Sequence, residues 1–135
     1  MDLNPYCFTL LSLWIMGSLM LIQLLIADLL GIRQRHQPGT AVTPDQGPFF
    51  RVTRTLANTN ESVAIFLLAA VFGVLAGASP VLMNIGSLIY LAGRVGHMIC
   101  YYAAWGLPRS ISFGVSLLGV ALMLFAGATP ALGLL

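Results

Sequence analysis

Charge is what this sequence has least of. Only 7% of its 135 residues are Asp, Glu, Lys or Arg, where a water-soluble domain carries about a quarter. A chain so poor in charge cannot cover a solvent-facing surface, which excludes a soluble globular domain and leaves an integral membrane protein. Lysine is absent: all six basic residues are arginines, and the net charge is only +2. That is too little for a nucleic-acid footprint, and no basic patch interleaved with aromatics occurs, so no nucleic-acid partner is expected. Cysteine is nearly absent too. Cys7 and Cys100 lie in apolar segments without CxxC or metal-ligand spacing, which points to buried free thiols and to no metal site. There is no internal repeat and no low-complexity tract, so residues 1–135 are read as one domain.

What the chain does have is long apolar runs, with 59% of its residues hydrophobic. The first covers residues 6–30 and is broken only by Gln23 and Asp28. About 20 apolar residues cross a bilayer, so this is a membrane span. Its start carries Asp2 and no Lys or Arg, and no A-x-A site follows, so an uncleaved span is expected rather than a signal peptide. Residues 31–50 are the one extended polar segment. Gly31, Pro38, Gly39, Pro44, Gly47 and Pro48 predict a loop there, with Arg33, Arg35 and His36 at its start. A second span is expected over about 51–77, ending in Gly77-Ala78-Ser79-Pro80. Ser79 as N-cap and Pro80 in the first turn would open a third, over about 80–105. After Gly106-Leu107-Pro108 a fourth runs over about 109–128, and Thr129-Pro130 ends it. The predicted fold is an all-α four-helix membrane bundle. Its arginine-bearing loops fall on one side, which the positive-inside rule places in the cytoplasm, with both termini opposite. Gly73-xxx-Gly77, Gly86, Gly93 and Gly96 offer flat surfaces for close helix packing and for an oligomer.

Two of these spans carry polar stripes. In RVTRTLANTNESVAIF, Arg51, Arg54, Asn58 and Glu61 follow one another at three, four and three residues, which puts them on one helical face. Such a stripe in lipid must turn toward protein, water or a polar ligand. In the third span Tyr90, Arg94, His97 and Tyr101 recur at four, three and four. At about 1.5 Å per residue, Glu61 and Arg94 both lie roughly 15 Å from the arginine side, Asn58 and His97 roughly 10 Å, and Arg54 and Tyr101 roughly 5 Å. Glu61 and Arg94 are therefore expected to form a buried ion pair. An unpaired charge near mid-membrane costs about 2.5–3.5 kcal/mol even on the lenient insertion scale. Pairing offsets that, and the pair could equally be structural.

The remaining residues exceed what one ion pair needs. Arg51, Arg54, Asn58, His97, Tyr101 and Arg109 would line a cationic pocket open to the cytoplasm, suited to a small ligand with carboxylates and amides. Arg109 and Ser110 follow a turn at the start of the fourth span, where the helix amino end favours an anion such as a thiolate. His97 alone is more often a hydrogen-bonded core histidine than a base.

These residues resemble the motifs of the MAPEG family, the membrane-associated proteins in eicosanoid and glutathione metabolism. FRVTRTLANTNESVAIF resembles its second-helix pattern R-x-x-R-x-x-x-N-x-x-E, through Arg51, Arg54, Asn58, Glu61 and the later Phe66. YLAGRVGHMICYY resembles the third-helix motif through Gly93, Arg94, His97 and Tyr101. PRSISF resembles the start of the fourth helix through Arg109, Ser110 and Phe113, and GIRQR the end of the first through Arg33 and Arg35. The resemblance covers nearly the whole chain and looks closest to the prostaglandin E synthase and microsomal glutathione transferase branches. It implies a homotrimer that binds glutathione between subunits on the cytoplasmic side. Arg33, Arg54, Asn58, Glu61, His97, Tyr101, Arg109 and Ser110 would contact the tripeptide. Arg109 would hold its thiolate, with Ser110 as second donor, and lipophilic electrophiles or peroxides would arrive from the bilayer lipids. Leu56, Ala57, Phe50 and Phe113 depart from the prostaglandin synthase pattern, and Asp45 matches its acid only approximately. These departures count against isomerase activity rather than against glutathione binding.

Two other classes are weighed against this enzyme. A non-catalytic protein of the same fold would bind lipid or partner proteins. A small four-span transporter would use a lone acid within its first span to bind cations. Asp28 lies at that span's end, and the deeper charges are mostly arginines.

Overall fold

The computed structural model describes residues 2–44 and 47–133; Asp45 lies outside them. A single 3-10 turn, Asn4–Tyr6, leads into α1 (Cys7–Arg33), which is followed by α2 (Pro48–Leu75), α3 (Pro80–Tyr102) and α4 (Gly106–Ala131). The chain is all-α, as expected, with four helices in the predicted order. α1 with its leading turn, α2 and α4 are long and apolar enough to cross a membrane. The 23-residue α3 is not among them, because Asn84, Arg94 and His97 interrupt its apolar sequence. It packs against each of the other three, most extensively against α4, and its polar side chains are turned inward: Arg94 is 2% and His97 4% exposed.

α1 runs to Arg33, three residues into the expected loop, and α2 and α3 stop two and three residues early, at Leu75 and Tyr102. Three further boundaries differ beside a proline. α2 begins at Pro48 because Gly47 takes the extended N-cap conformation and Pro48 falls in the first turn, where no N–H is needed. α4 begins at Gly106, with Pro108 inside its first turn for the same reason. At the far end α4 passes through Pro130 to Ala131. Pro130 has no N–H for the Ala126 carbonyl, and the Thr129 hydroxyl donates to that carbonyl instead at 2.8 Å. Ser79 does occupy the N-cap position of α3, but its side chain makes no capping bond.

The helices stop in one way. After α2, Ala78 N donates to Gly73 O at 2.9 Å and Gly77 N to Val74 O at 3.2 Å, with Gly77 at φ 70°. This is the paired closure of a helix end around a left-handed residue. α1 and α3 end in the same pattern, with Arg35 (φ 53°) and Ala104 (φ 61°) as the left-handed residues.

At the turn between α2 and α3 the bundle is tied by polar contacts. Tyr6 Oη donates to Ala78 O at 2.6 Å, and Asn84 Nδ2 to Pro5 O at 2.8 Å. Asn84 Oδ1 accepts from the Thr9 backbone and hydroxyl at 2.9 and 3.0 Å. Deeper in, the Phe66 and Tyr90 rings stack at 4.1 Å, and the Tyr90 hydroxyl meets Ser62 Oγ at 3.1 Å. α3 and α4 then approach backbone to backbone. A Cβ on Gly93 would lie 2.5 Å from Ser116 N, and one on Gly119 would lie 2.5 Å from Tyr90 N. Gly86 and Gly96 also face α4 and Gly73 faces Met83, so four of the five glycines expected to allow close helix packing do so inside the chain, while Gly77 meets nothing within 4 Å.

Gly119→Ala should therefore lower the thermal unfolding midpoint in detergent, at a cost of about 1–3 kcal/mol from forced separation of α3 and α4. Gly114→Ala meets nothing within 4 Å and should leave the midpoint unchanged or raised.

Candidate functional site

The expected stripe on α2 is real but sits at an edge. The side chains that α2 buries are Thr55, Thr59, Ser62, Phe66, Ala69 and Gly73, among others. Arg54, Asn58 and Glu61 stand one residue, about 100°, to the side of that line. Arg54 and Glu61 are accordingly exposed and Asn58 half-buried. The edge continues as Ile65, Leu68, Phe72 and Leu75, all exposed, at the same alternation of three and four residues.

This rotation corrects the expected ion pair. Arg94 does not meet Glu61 directly. Its Nη1 donates to Asn58 Oδ1 at 3.0 Å and its Nη2 to Thr59 Oγ1 at 2.9 Å. Glu61 is reached only through Asn58, whose Nδ2 lies 3.5 Å from Glu61 Oε2. A guanidinium has no acceptor, so Asn58 must turn its carbonyl oxygen toward Arg94. Its amide NH2, a pure donor, is left on the exposed side. Thr59 and Ser62, the partners of Arg94 and Tyr90, were missed from the sequence. The signal that could have found them is the run Thr55, Thr59, Ser62, Phe66, which has the same helical spacing one position along.

Between α2, the end of α3 and the start of α4 lies a pocket of about 280 Å³ lined by Arg54, Asn58, His97, Tyr101, Arg109, Ser110 and Phe113. Six of the eight residues expected around the ligand therefore converge within one chain. Arg33, the last residue of α1, and Glu61 do not line it. Phe113, an aromatic of the fourth-helix motif that was not among the expected ligand contacts, does. The Arg109 guanidinium lies over the Tyr101 ring, 4.8 Å from its centroid. Cation–π contact fixes it there without neutralising it. The Arg109 amide is engaged with Trp105 O at 3.3 Å, and the Ser110 hydroxyl donates to Gly106 O at 3.4 Å. α4 starts three residues earlier than expected, so Arg109 and Ser110 offer side chains rather than free helix amides.

Behind the pocket's lining, His97 Nδ1 and Arg94 Nε are buried without a hydrogen-bond partner. The His97 ring is flanked by Tyr101 at 5.7 Å and Phe113 at 6.0 Å. Arg54, Arg109 and Asn58 line the cavity, and among the described residues no carboxylate does. A second cavity of about 260 Å³ adjoins, lined by Pro44, Phe50, Arg51, Tyr101, Ala104 and Arg109. Arg51 contributes there rather than to the first pocket, and its Nη1 donates to Tyr102 O at 3.0 Å. Among the described residues no three His, Cys, Asp or Glu gather as metal ligands. Cys7 is exposed rather than buried, and Cys100 is buried; both are free thiols.

Apolar membrane-length helices, a buried arginine bridging two of them, and a cationic pocket at the arginine-bearing end define an integral membrane protein built around an anion-compatible site. The model of the MAPEG family matches residues 9–129, nearly the whole chain, and the chain belongs to that family. It is thus a membrane protein of the glutathione and eicosanoid metabolism family. No curated protein matches it.

The forced orientation of Asn58 is testable. Asn58→Asp gives Arg94 a stronger partner but removes the outward donor and adds a negative charge beside the pocket. The protein should fold with an unchanged or higher melting temperature, while calorimetry should show at least about a tenfold loss of affinity for an anionic tripeptide, near 1.4 kcal/mol.

Proposed function

We propose that this protein is a glutathione-dependent membrane enzyme, conjugating glutathione to lipophilic electrophiles or reducing lipid peroxides. The observation that carries this reading is a lining with two arginines and, among the described residues, no acid, at one end of a membrane bundle. Glutathione carries two carboxylates, amide groups and a thiol. Arg54 and the Asn58 NH2 suit the carboxylates and carbonyls, and His97 Nδ1 supplies a buried polar atom otherwise unpartnered.

Arg109 is placed for the sulfur. A thiolate, not a thiol, is the nucleophile, and a nearby arginine favours it. Tyr101 holds the guanidinium in position, and the Ser110 hydroxyl in the same lining would serve as a second donor by turning from its 3.4 Å bond to Gly106 O. In conjugation the sulfur lone pair forms the new S–C bond as the leaving group departs with its electrons, and the thiol proton goes to solvent. In peroxide reduction two thiols become a disulfide while the peroxide becomes alcohol and water. Both gain from thiolate stabilisation and from positioning.

A homotrimer with the tripeptide between subunits is part of this proposal. It is supported by the edge of α2, where Arg54, Glu61, Ile65, Leu68, Phe72 and Leu75 are all exposed in the single chain. Arg33 and Glu61 would then join the site from across the subunit boundary. The arginine-bearing loops would face the cytoplasm and both termini the other side.

Purified protein should conjugate glutathione to a chlorodinitrobenzene-type electrophile. Arg109→Ala should lower kcat/KM by about 10²–10³, the range seen when one preorganised donor to a developing anion is lost. Helicity should be unchanged. An absence of calorimetric glutathione binding by the wild type would overturn the proposal.

A further inference from the structure

Away from the arginine pocket, a third cavity of about 480 Å³ opens where the end of α1, the start of α2 and the connecting segment meet. Leu24, Ala27, Ile32, Val42, Phe49 and Leu56 give it an apolar wall. Its polar lining is Asp28, His36 and Thr53. Two of these three are already engaged. The Thr53 hydroxyl is within 3.0 Å of both Phe49 O and Phe50 O. The His36 ring packs edge-on to Phe49 at 5.0 Å, and its Nε2 lies 3.4 Å from Thr40 Oγ1.

Asp28 is different. Among the described residues it makes no hydrogen bond and no ion pair. It stands five residues before the end of α1, roughly 7.5 Å inside the arginine-bearing boundary. Asp28 is exposed at the cavity's edge, and near the bilayer boundary a carboxylate beside an apolar wall favours a cationic partner. Among the described residues no arginine lines the cavity, and its one basic side chain, His36, is packed on Phe49 and beside Thr40. An anion would be repelled, and a neutral alcohol would leave the charge uncompensated. A lone carboxylate is too few ligands for a metal ion. A protonated amine on an apolar body satisfies both the charge and the wall.

We infer that this cavity is a binding site for a cationic amphiphile, with a primary ammonium at Asp28 and an aliphatic portion along Leu24, Ala27, Phe49 and Leu56. Two sources carry that chemistry: the ethanolamine headgroup of a phospholipid and a free alkylamine. The site is separate from the arginine pocket and does not depend on the thiol chemistry proposed for it.

The test uses the full chain in nanodiscs made only of phosphatidylcholine, titrated with decylamine, decanol and decanoate. Decylamine should bind saturably, one per chain, at least tenfold more tightly than the other two. Asp28→Asn should abolish that preference, while Arg109→Ala should leave it intact. Leu24→Trp, at an exposed wall position, should weaken decylamine by closing the mouth. A second arm compares retention of phosphatidylethanolamine and phosphatidylcholine by native mass spectrometry. Preferential, Asp28-dependent retention of the ethanolamine lipid identifies the headgroup as the occupant. Equal retention with saturable decylamine binding identifies a free amine. Equal affinity for decylamine and decanol, or full retention of the preference in folded Asp28→Asn, would overturn the inference and leave only lipid filling a groove.

Discussion

The guanidinium of Arg94 is the interaction on which the rest depends. A permanent charge on a membrane helix must be met by protein, and α2 meets it with two neutral oxygens, Asn58 Oδ1 and Thr59 Oγ1. That choice fixes how α2 and α3 are rotated about each other. It also leaves the positive charge formally uncancelled, so the interior at that level stays cationic. Had Glu61 closed on Arg94, the two charges would have offset each other behind the pocket. Instead Glu61 is exposed and reached only through the Asn58 amide.

From this the layering of α2 follows. One line of its residues, from Thr55 through Gly73, is the packed seam. The line beside it begins as Arg54, Asn58 and Glu61 and continues as Ile65, Leu68, Phe72 and Leu75. A single chain buries the first line and leaves much of the second open. Close approach of α3 and α4 at Gly93 and Gly119 brings the start of α4 beside the end of α3. There Tyr101 carries Arg109 on its face. The cationic pocket is thus a consequence of three helix contacts rather than of one motif.

Much of this was legible beforehand. Long apolar runs and the spacing of Arg54, Asn58, His97, Tyr101 and Arg109 were enough to foresee four helices and the residues that meet. What was not legible has a physical reason in each case. A helical stripe says which residues share a face, not which neighbouring line of residues a partner helix will take as its seam; hence the misplaced Glu61–Arg94 pair. Prolines were read as breaks, yet Pro48 and Pro108 sit in first turns that need no N–H, and the Thr129 hydroxyl stands in for the missing donor at Pro130. Glycines were read as flat surfaces for close helix packing, and α3 and α4 use Gly86, Gly93 and Gly96 in that way. Arg33 lies at the end of α1, and no reading of spacing alone could say that one chain keeps it out of the pocket.

Charge is also partitioned along the arginine-bearing end. Among the described residues the pocket near Arg109 contains no acid, and the cavity near α1 contains Asp28 and no arginine. The first is the one the account stands on, and its most direct test is a structure of the purified protein with glutathione bound. Density for the tripeptide should appear among Arg54, Asn58, His97 and Arg109, its sulfur nearest the Arg109 guanidinium and an oxygen on the Asn58 NH2. Tripeptide density elsewhere, or an Asn58 side chain released from Arg94, would contradict the account.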